Sequence, residues 1–360
     1  MAGVEQESTQ SAFTLVLQIC FCLRARFQDA ARTSASVTVE AEGFTARNLT
    51  FENAYGRGTQ AVALLATGSR ATFLNCRFLG RQDTLFADGP GATQYYRDCY
   101  VEGTTDFVFG GANALFADSE IRCLADASYV TAASTPESAA FGLTFVDCEV
   151  TTTDPDQWVY LGRPWKPHAT TSFVHCHLGE HVVPEGWHNW GDPAKEETAY
   201  YAEYDNEGPG WKPDQRVDWV HVLDDDAGAA YTRENVLGGW NPALSFVDTG
   251  QLVLDRGEVA TLAVRRRNVE STATAGGEIS LDAPDGWEHR PLAGPTVEAL
   301  DPGEATTVEA LDPGGTATVG WALRAPESAR GEFAVTATGP DGRTATRSVL
   351  VVDETGETAP

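Results

Sequence analysis

Six short segments of this chain superimpose on one another, and their spacing limits the folds open to it. They span residues 45–51, 72–78, 95–101, 115–121, 144–150 and 172–178. Each carries a polar marker at its fourth position: Asn48, Asn75, Asp98, Asp118, Asp147 and His175, separated by 27, 23, 20, 29 and 28 residues. Apolar and polar residues alternate within each segment, which is strand periodicity. An Asn or Asp at a turn can bond its local backbone. A coil of this length cannot bury its apolar face alone, so successive coils must stack. The expected fold is all-β: a parallel β-helix followed by a smaller β-sandwich.

Two carboxylates stand out in this register. Asp83 and Asp106 lie 23 residues apart, each eight residues beyond its marker, Asn75 or Asp98. Adjacent strands lie about 4.8 Å apart. Two carboxylates that close cannot ionise together easily, so one becomes a candidate acid and the other a candidate base or nucleophile. On spacing alone they could equally be solvated turn residues.

Composition narrows the partners. The 360 residues suffice for two domains, and 35 Gly with 18 Pro suit a turn-rich β fold. With 52 acidic against 25 basic residues the net charge is −27, a surface that repels nucleic acid and anionic membranes. Lysine occurs only at Lys166, Lys195 and Lys212. Two readings stand: an ordinary acidic protein, or adaptation to high salt, where a Debye length of about 3 Å at 1 M screens self-repulsion. The near absence of Lys favours the second. Cys76, Cys99, Cys148 and Cys176 occupy equivalent repeat positions, which suits an internal thiol stack; a Cys76–Cys99 bridge is the alternative. His168, His175, His177, His181 and His188 follow no ligand spacing, so no metal is expected.

Past Trp240 the text turns to Val, Thr, Ala and Gly. Strand-like stretches at 251–254, 259–264, 317–323, 332–337 and 347–352 are punctuated by Asp-Gly and Pro-Gly turns. This reads as a sandwich over residues 246–353. The phrase TVEALDPG occurs twice, at 296–303 and 307–314, as a loop extension would. The tail from Asp353 is polar and expected to fray. Residues 1–33 are atypical: the apolar run 12–23 is too short to span a bilayer, and no basic start marks an export signal.

Residues 34–240 resemble the pectin methylesterases (pectinesterases, carbohydrate esterase family 8). The matching stretches are QAVAL at 60–64, GRQDTL at 80–85, YRDCYVEGTTDFVFG at 96–110, YLGRPW at 160–165, PEGW at 184–187 and YAEY at 201–204. The resemblance implies a right-handed parallel β-helix that hydrolyses the galacturonate methyl esters of pectin to methanol and de-esterified pectin, with no cofactor and no metal. It gives Asp106 the role of nucleophile, forming an acyl-enzyme. Asp83 becomes the acid that protonates methanol and then the base that activates water. Gln60 and Gln82 become oxyanion donors, and Arg163 the guanidinium that orients Asp106 and keeps it ionised. Trp165 and Trp187 become walls for sugar rings, with Phe86 and Phe109 as further groove residues. From the residues alone, Gln60 could bond solenoid backbone, Arg163 could be a structural ion pair, and both Trp could be core. The implied partner is methylated homogalacturonan, the location extracellular and the state monomeric.

Residues 246–353 are similar to immunoglobulin-like accessory domains of carbohydrate-active enzymes, on Pro284-Asp285-Gly286-Trp287 and the closing 331–335. The chain departs from the family pattern at its start, where several coils and a Gly-x-Tyr-x-Glu stretch are expected before residue 34. The alternative to an active esterase is therefore a truncated, inactive pectin-binding relative.

Overall fold

Each repeat folds into three short strands, because three turns per coil let the apolar positions point inward on every side. The computed structural model describes residues 16–17, 30–125, 127–247, 252–270, 272–292, 306–313 and 315–352. The apolar run 12–23 thus lies outside the described residues except at 16–17. The first TVEALDPG copy and the tail from Asp353 also lie outside them. The chain divides into two units, Met1–Thr232 and Arg233–Pro360.

The first unit is a parallel β-helix of three sheets. One sheet stacks Val16–Leu17, Thr50–Glu52, Arg77–Leu79, Tyr100–Gly103, Glu120–Cys123, Glu149–Thr152 and His177–Leu178. A second stacks Val37–Val39, Leu64–Ala66, Leu85–Ala87, Thr105–Gly110, Tyr129–Ala133 and Tyr160–Gly162. The third runs from Thr45–Arg47 through Ala71–Leu74, Thr93–Arg97, Asn113–Ala117, Leu143–Val146, Thr170–Val174 and Tyr200–Tyr204 to His221–Val222. Neighbouring strands are parallel and in register, as at Leu64↔Leu85, Leu85↔Val108 and Phe116↔Phe145.

The markers explain how the third sheet passes into the first. Asn48, Asn75, Asp98, Asp118, Asp147 and His175 all have φ between 48° and 55°. Asp205 continues the column at φ 43°. This left-handed conformation is costly for most side chains and best tolerated by Asn, Asp and His. The residue after each marker points inward. Cys76, Cys99, Cys148 and Cys176 are buried and unbridged, each with its thiol donating to the carbonyl two residues back, at 3.3–3.4 Å. The thiol stack is therefore the outcome and the Cys76–Cys99 bridge is not formed. Beside it runs an aromatic column: Phe73, Tyr96, Phe116, Phe145 and Phe173, with successive rings stacked at 4.5–4.8 Å. Such pairs add about 0.5–1.5 kcal/mol each beyond their area.

The second unit holds two sheets around its own core, which includes Trp321, Leu262, Val335 and Val349. One sheet orders Leu244–Phe246, Val259–Arg267, Thr316–Arg324 and Glu288–Leu292, all antiparallel. The other orders Leu252–Asp255, Thr344–Val352, Gly331–Thr338, Gly277–Asp282 and Thr306–Val308, with only its first pair parallel. Four of these strands contain and extend stretches that alternation marks. Glu288–Leu292 gives no such signal: it includes Pro291 and polar neighbours, and it sits at a sheet edge, where a missing N–H is tolerated.

Candidate active site

The second solenoid sheet positions the two carboxylates by register. Leu85 pairs with Val108, and Asp83 and Asp106 each lie two residues before those partners. Both have left-handed backbones, at φ 64° and 51°. The Asp83 N–H donates to the Thr105 carbonyl at 3.0 Å, locking one turn onto the next. The strand Thr105–Gly110 slips register against Tyr129–Ala133 between Thr105 and Val108, so Asp106 sits at an irregularity. Such bulges re-aim a side chain.

Both carboxyls are nearly closed off from solvent, Asp83 at 3% and Asp106 at 6% exposure. Burial pushes the Asp83 pKa up to about 7, and the charge of Asp106 adds to that. The Gln60 and Gln82 amides bond the Asp83 carboxyl, and they and Arg163 oppose the rise. Burial also raises Asp106, but Arg163 opposes this through hydrogen bonds and charge. Burial thus outweighs the guanidinium, and the Asp106 pKa lies above its ordinary value. The order between the two still holds. Asp106 ionises first, and its charge helps Asp83 keep a proton near neutrality.

Arg163 grips Asp106 with a fork: Nε donates to Oδ1 at 2.9 Å and Nη2 to Oδ2 at 2.7 Å. This geometry gives direction as well as charge. Its placement follows from Gly162, where a Cβ would collide with Thr131 Oγ1. Glycine lets the strand Tyr160–Gly162 close onto Thr131, whose hydroxyl donates to Leu161 O at 2.9 Å. The guanidinium is then clamped between two rings, 3.8 Å from the Tyr129 centroid and 3.7 Å from that of Trp190. Trp190 holds φ 63°, a rare state for a bulky residue, secured by its N–H donating to His188 Nδ1 at 3.0 Å. Burial and Arg163 lower the His188 pKa, which suits an acceptor nitrogen.

The residues proposed to face sugar separate into three kinds. Trp165 is half-buried on the outer side of this sheet, 5.9 Å from Phe109 and 6.1 Å from Phe86. Phe86 and Phe109 stack at 4.1 Å on that same side, but they are buried in a cluster with Ala31, Val62, Leu65 and Ala132. Arg32 lies over Phe86 and pairs with Asp88. The two Phe therefore underpin Trp165 rather than offer open ring faces. Trp187 is not brought to the groove. It is 1% exposed, packs on Phe173 and Tyr201 inside the solenoid, and donates Nε1 to Glu203 at 2.9 Å. Glu203 is itself held by a buried Arg216 fork at 2.8 and 3.1 Å. The Gly162↔Trp187 bridge extends the sheet and turns Trp187 inward.

Tyr129 and Trp190 were not singled out from the sequence, and His188 was weighed only as a metal ligand. The usable signal was Trp187-His188-Asn189-Trp190-Gly191, in which one Trp faces in and the turn carries the other outward. Lys195 joins this shell, its Nζ donating to Pro164 O at 3.0 Å and lying 5.4 Å from the Trp190 ring.

A family model described as Pectinesterase matches residues 22–239, more than half of the chain. A second, described as the NPCBM-associated NEW3 domain of alpha-galactosidase, matches residues 254–310. Pectinesterase 31 of Arabidopsis thaliana is 41% identical over 196 residues, covering 54% of this chain and 61% of the relative. The chain thus spans about three fifths of the length of that curated relative. Among solved structures, a pectin methylesterase from carrot is 30% identical with a TM-score of 0.54, covering 58% of this chain and 70% of that one. A pectin methylesterase in complex with a hexasaccharide is 27% identical with a TM-score of 0.51, covering 59% and 75%.

Proposed function

The chain belongs to the pectinesterase family, and on that premise we propose that it hydrolyses the galacturonate methyl esters of pectin. The observation that carries this reading is the unequal pair: two buried carboxylates at one register position, one gripped by Arg163 and the other holding a proton near neutrality.

Ionised Asp106 attacks the ester carbonyl, and the carbonyl π electrons move onto oxygen. The Gln60 and Gln82 amides beside the dyad turn to that oxyanion as its charge develops. Collapse of the tetrahedral species breaks the bond to methoxy oxygen, Asp83 supplies the proton, and methanol leaves an acyl-enzyme anhydride on Asp106. Asp83, now ionised, takes a proton from water as that water attacks the acyl carbon. The second collapse frees the galacturonate carboxyl and restores both groups to their starting states. Arg163 holds Asp106 in line throughout, while Tyr129 and Trp190 hold Arg163. Trp165 provides the ring face against which a sugar packs.

The acidic surface and the three lysines support activity at high salt; family membership supports a polymer outside the cell as substrate, and the proposed state is a monomer. Methanol release from highly methylated pectin at about 2 M salt, where screening is strong, tests the catalytic reading. Release by the parent and none by folded Asp106→Asn is expected. No release from folded parent chain overturns the reading and favours an inactive binder. Equal turnover at about 0.1 M and 2 M salt overturns the salt proposal.

A further inference from the structure

The C-terminal unit contains a cavity of about 430 Å³, a size usual for small-ligand sites. Arg266, Arg267, Arg343 and Thr274 line it, together with the acidic Glu270 and Asp341. The two acids already have cationic partners. Glu270 pairs with Arg233 at 3.0 Å, and Asp341 faces Arg343 at 3.7 Å while accepting its backbone N–H at 3.3 Å. Arg266 and Arg267 form no ion pair among the described residues. Arg267 is partly buried, and burial together with Arg265 lowers its pKa to about 10, which leaves it cationic at neutral pH.

Arg266 is the telling group. It is 8% exposed, its Nη2 donates to Ala275 O at 2.7 Å, and its buried Nη1 has no partner among the described residues. The Thr274 hydroxyl on the same cavity is also buried without one. Leaving a buried charged donor unmade is costly, so native structures rarely keep one without a ligand or water. Two uncompensated guanidiniums gathered on one cavity contrast with a chain whose net charge is −27.

We propose that this cavity binds the carboxylate of a uronate residue in an acidic oligosaccharide, with Arg266 and Arg267 as the donors and Thr274 meeting a sugar oxygen. A guanidinium fork matches a carboxylate in shape and charge. The choice of a uronate rests on the esterase reading, because that reaction turns neutral esters into carboxylates. The C-terminal unit would then hold de-esterified chain while the solenoid works on esterified chain.

The test is calorimetric titration of the full chain with a fully de-esterified galacturonate tetramer. Inorganic sulfate and a fully methyl-esterified tetramer, the latter titrated into Asp106→Asn so that it is not hydrolysed, serve as comparison probes. Two binding events are expected for the parent with the acid tetramer, one of them absent with the ester. Arg267→Gln should weaken that event by about tenfold or more, the scale of one charge-assisted hydrogen bond, and leave methanol release unchanged. Arg343→Gln, on an exposed side chain, should weaken it less and guards against a folding artefact. Unchanged binding in both variants overturns the proposal even where methanol release is normal. Sulfate that displaces the tetramer at equal concentration also overturns it, since the site would then be one for inorganic anions only. Arginine-dependent binding without methanol release would uphold this site and reject the esterase reading.

Discussion

The solenoid and the C-terminal unit are both built from strands, yet they convert sequence into neighbours in opposite ways. In the solenoid each strand pairs in parallel with its counterpart one coil away, so Leu64, Leu85 and Val108 line up. A sequence period becomes a spatial column, and residues 23 apart can share one reaction. In the C-terminal unit pairing is mostly antiparallel, running from Val259↔Arg324 to Arg267↔Thr316. There a residue's neighbour depends on loop lengths, which leave no period to read. Chemistry in the first unit is thus written at fixed intervals, and chemistry in the second emerges only from the fold.

That contrast can be broken most forcefully at Asp106. Asp106→Asn is expected to lower methanol release by about 10³-fold or more, as loss of a nucleophile does, with thermal unfolding of the chain little changed. A variant as active as the parent would mean that the column is structural. Next in size is Gln82→Ala, expected to cost about 10²–10³ in kcat with a smaller change in KM, the pattern of a transition-state donor. A rise in KM alone would reduce Gln82 to a backbone or Asp83 partner.

Arg163→Lys sharpens the comparison further, because it keeps a charge and removes the fork clamped by Tyr129 and Trp190. A fall in kcat of about 10–100-fold is expected from the lost charge-assisted bond. Retained activity would show that charge near Asp106 is enough. The smallest effects separate the two tryptophans. Trp165→Ala is expected to raise KM several-fold at unchanged kcat. Trp187→Phe is expected to leave kinetics alone and to lower stability by about 1–2 kcal/mol, the loss of its bond to buried Glu203. Kinetics that respond to Trp187 and not to Trp165 would contradict their assigned positions.

Much of the solenoid was legible because its turns require particular residues. The column from Asn48 to His175 is readable as Asn, Asp and His because the left-handed backbone admits few others. The dyad was legible for the same reason of register. Trp187 was misread because a motif gives identity and not facing: the bridge to Gly162 turns it inward, where Glu203 and Arg216 receive it. Trp190 and Tyr129 were missed because their role exists only through contact with Arg163: Tyr129 opens the neighbouring coil's strand, and Trp190 lies on a turn outside the strands. The open ring faces expected of Phe86 and Phe109 fail for a related reason, since Ala31 and Arg32 come from outside the repeat. In the second unit, alternation revealed the long strands but could not bring Arg266, Arg267 and Arg343 onto one cavity.

Whether register sets two carboxyls side by side with unequal affinity for protons is read in the pH dependence of kcat/KM for methanol release. Below about 7 Asp83 keeps its proton and can serve as the acid; as pH rises through that value the proton is lost. kcat/KM is expected to fall as pH rises through about 7, with a second fall at lower pH where Asp106 becomes protonated. A kcat/KM that stays flat or climbs from neutrality to pH values well above the Asp83 pKa would contradict it.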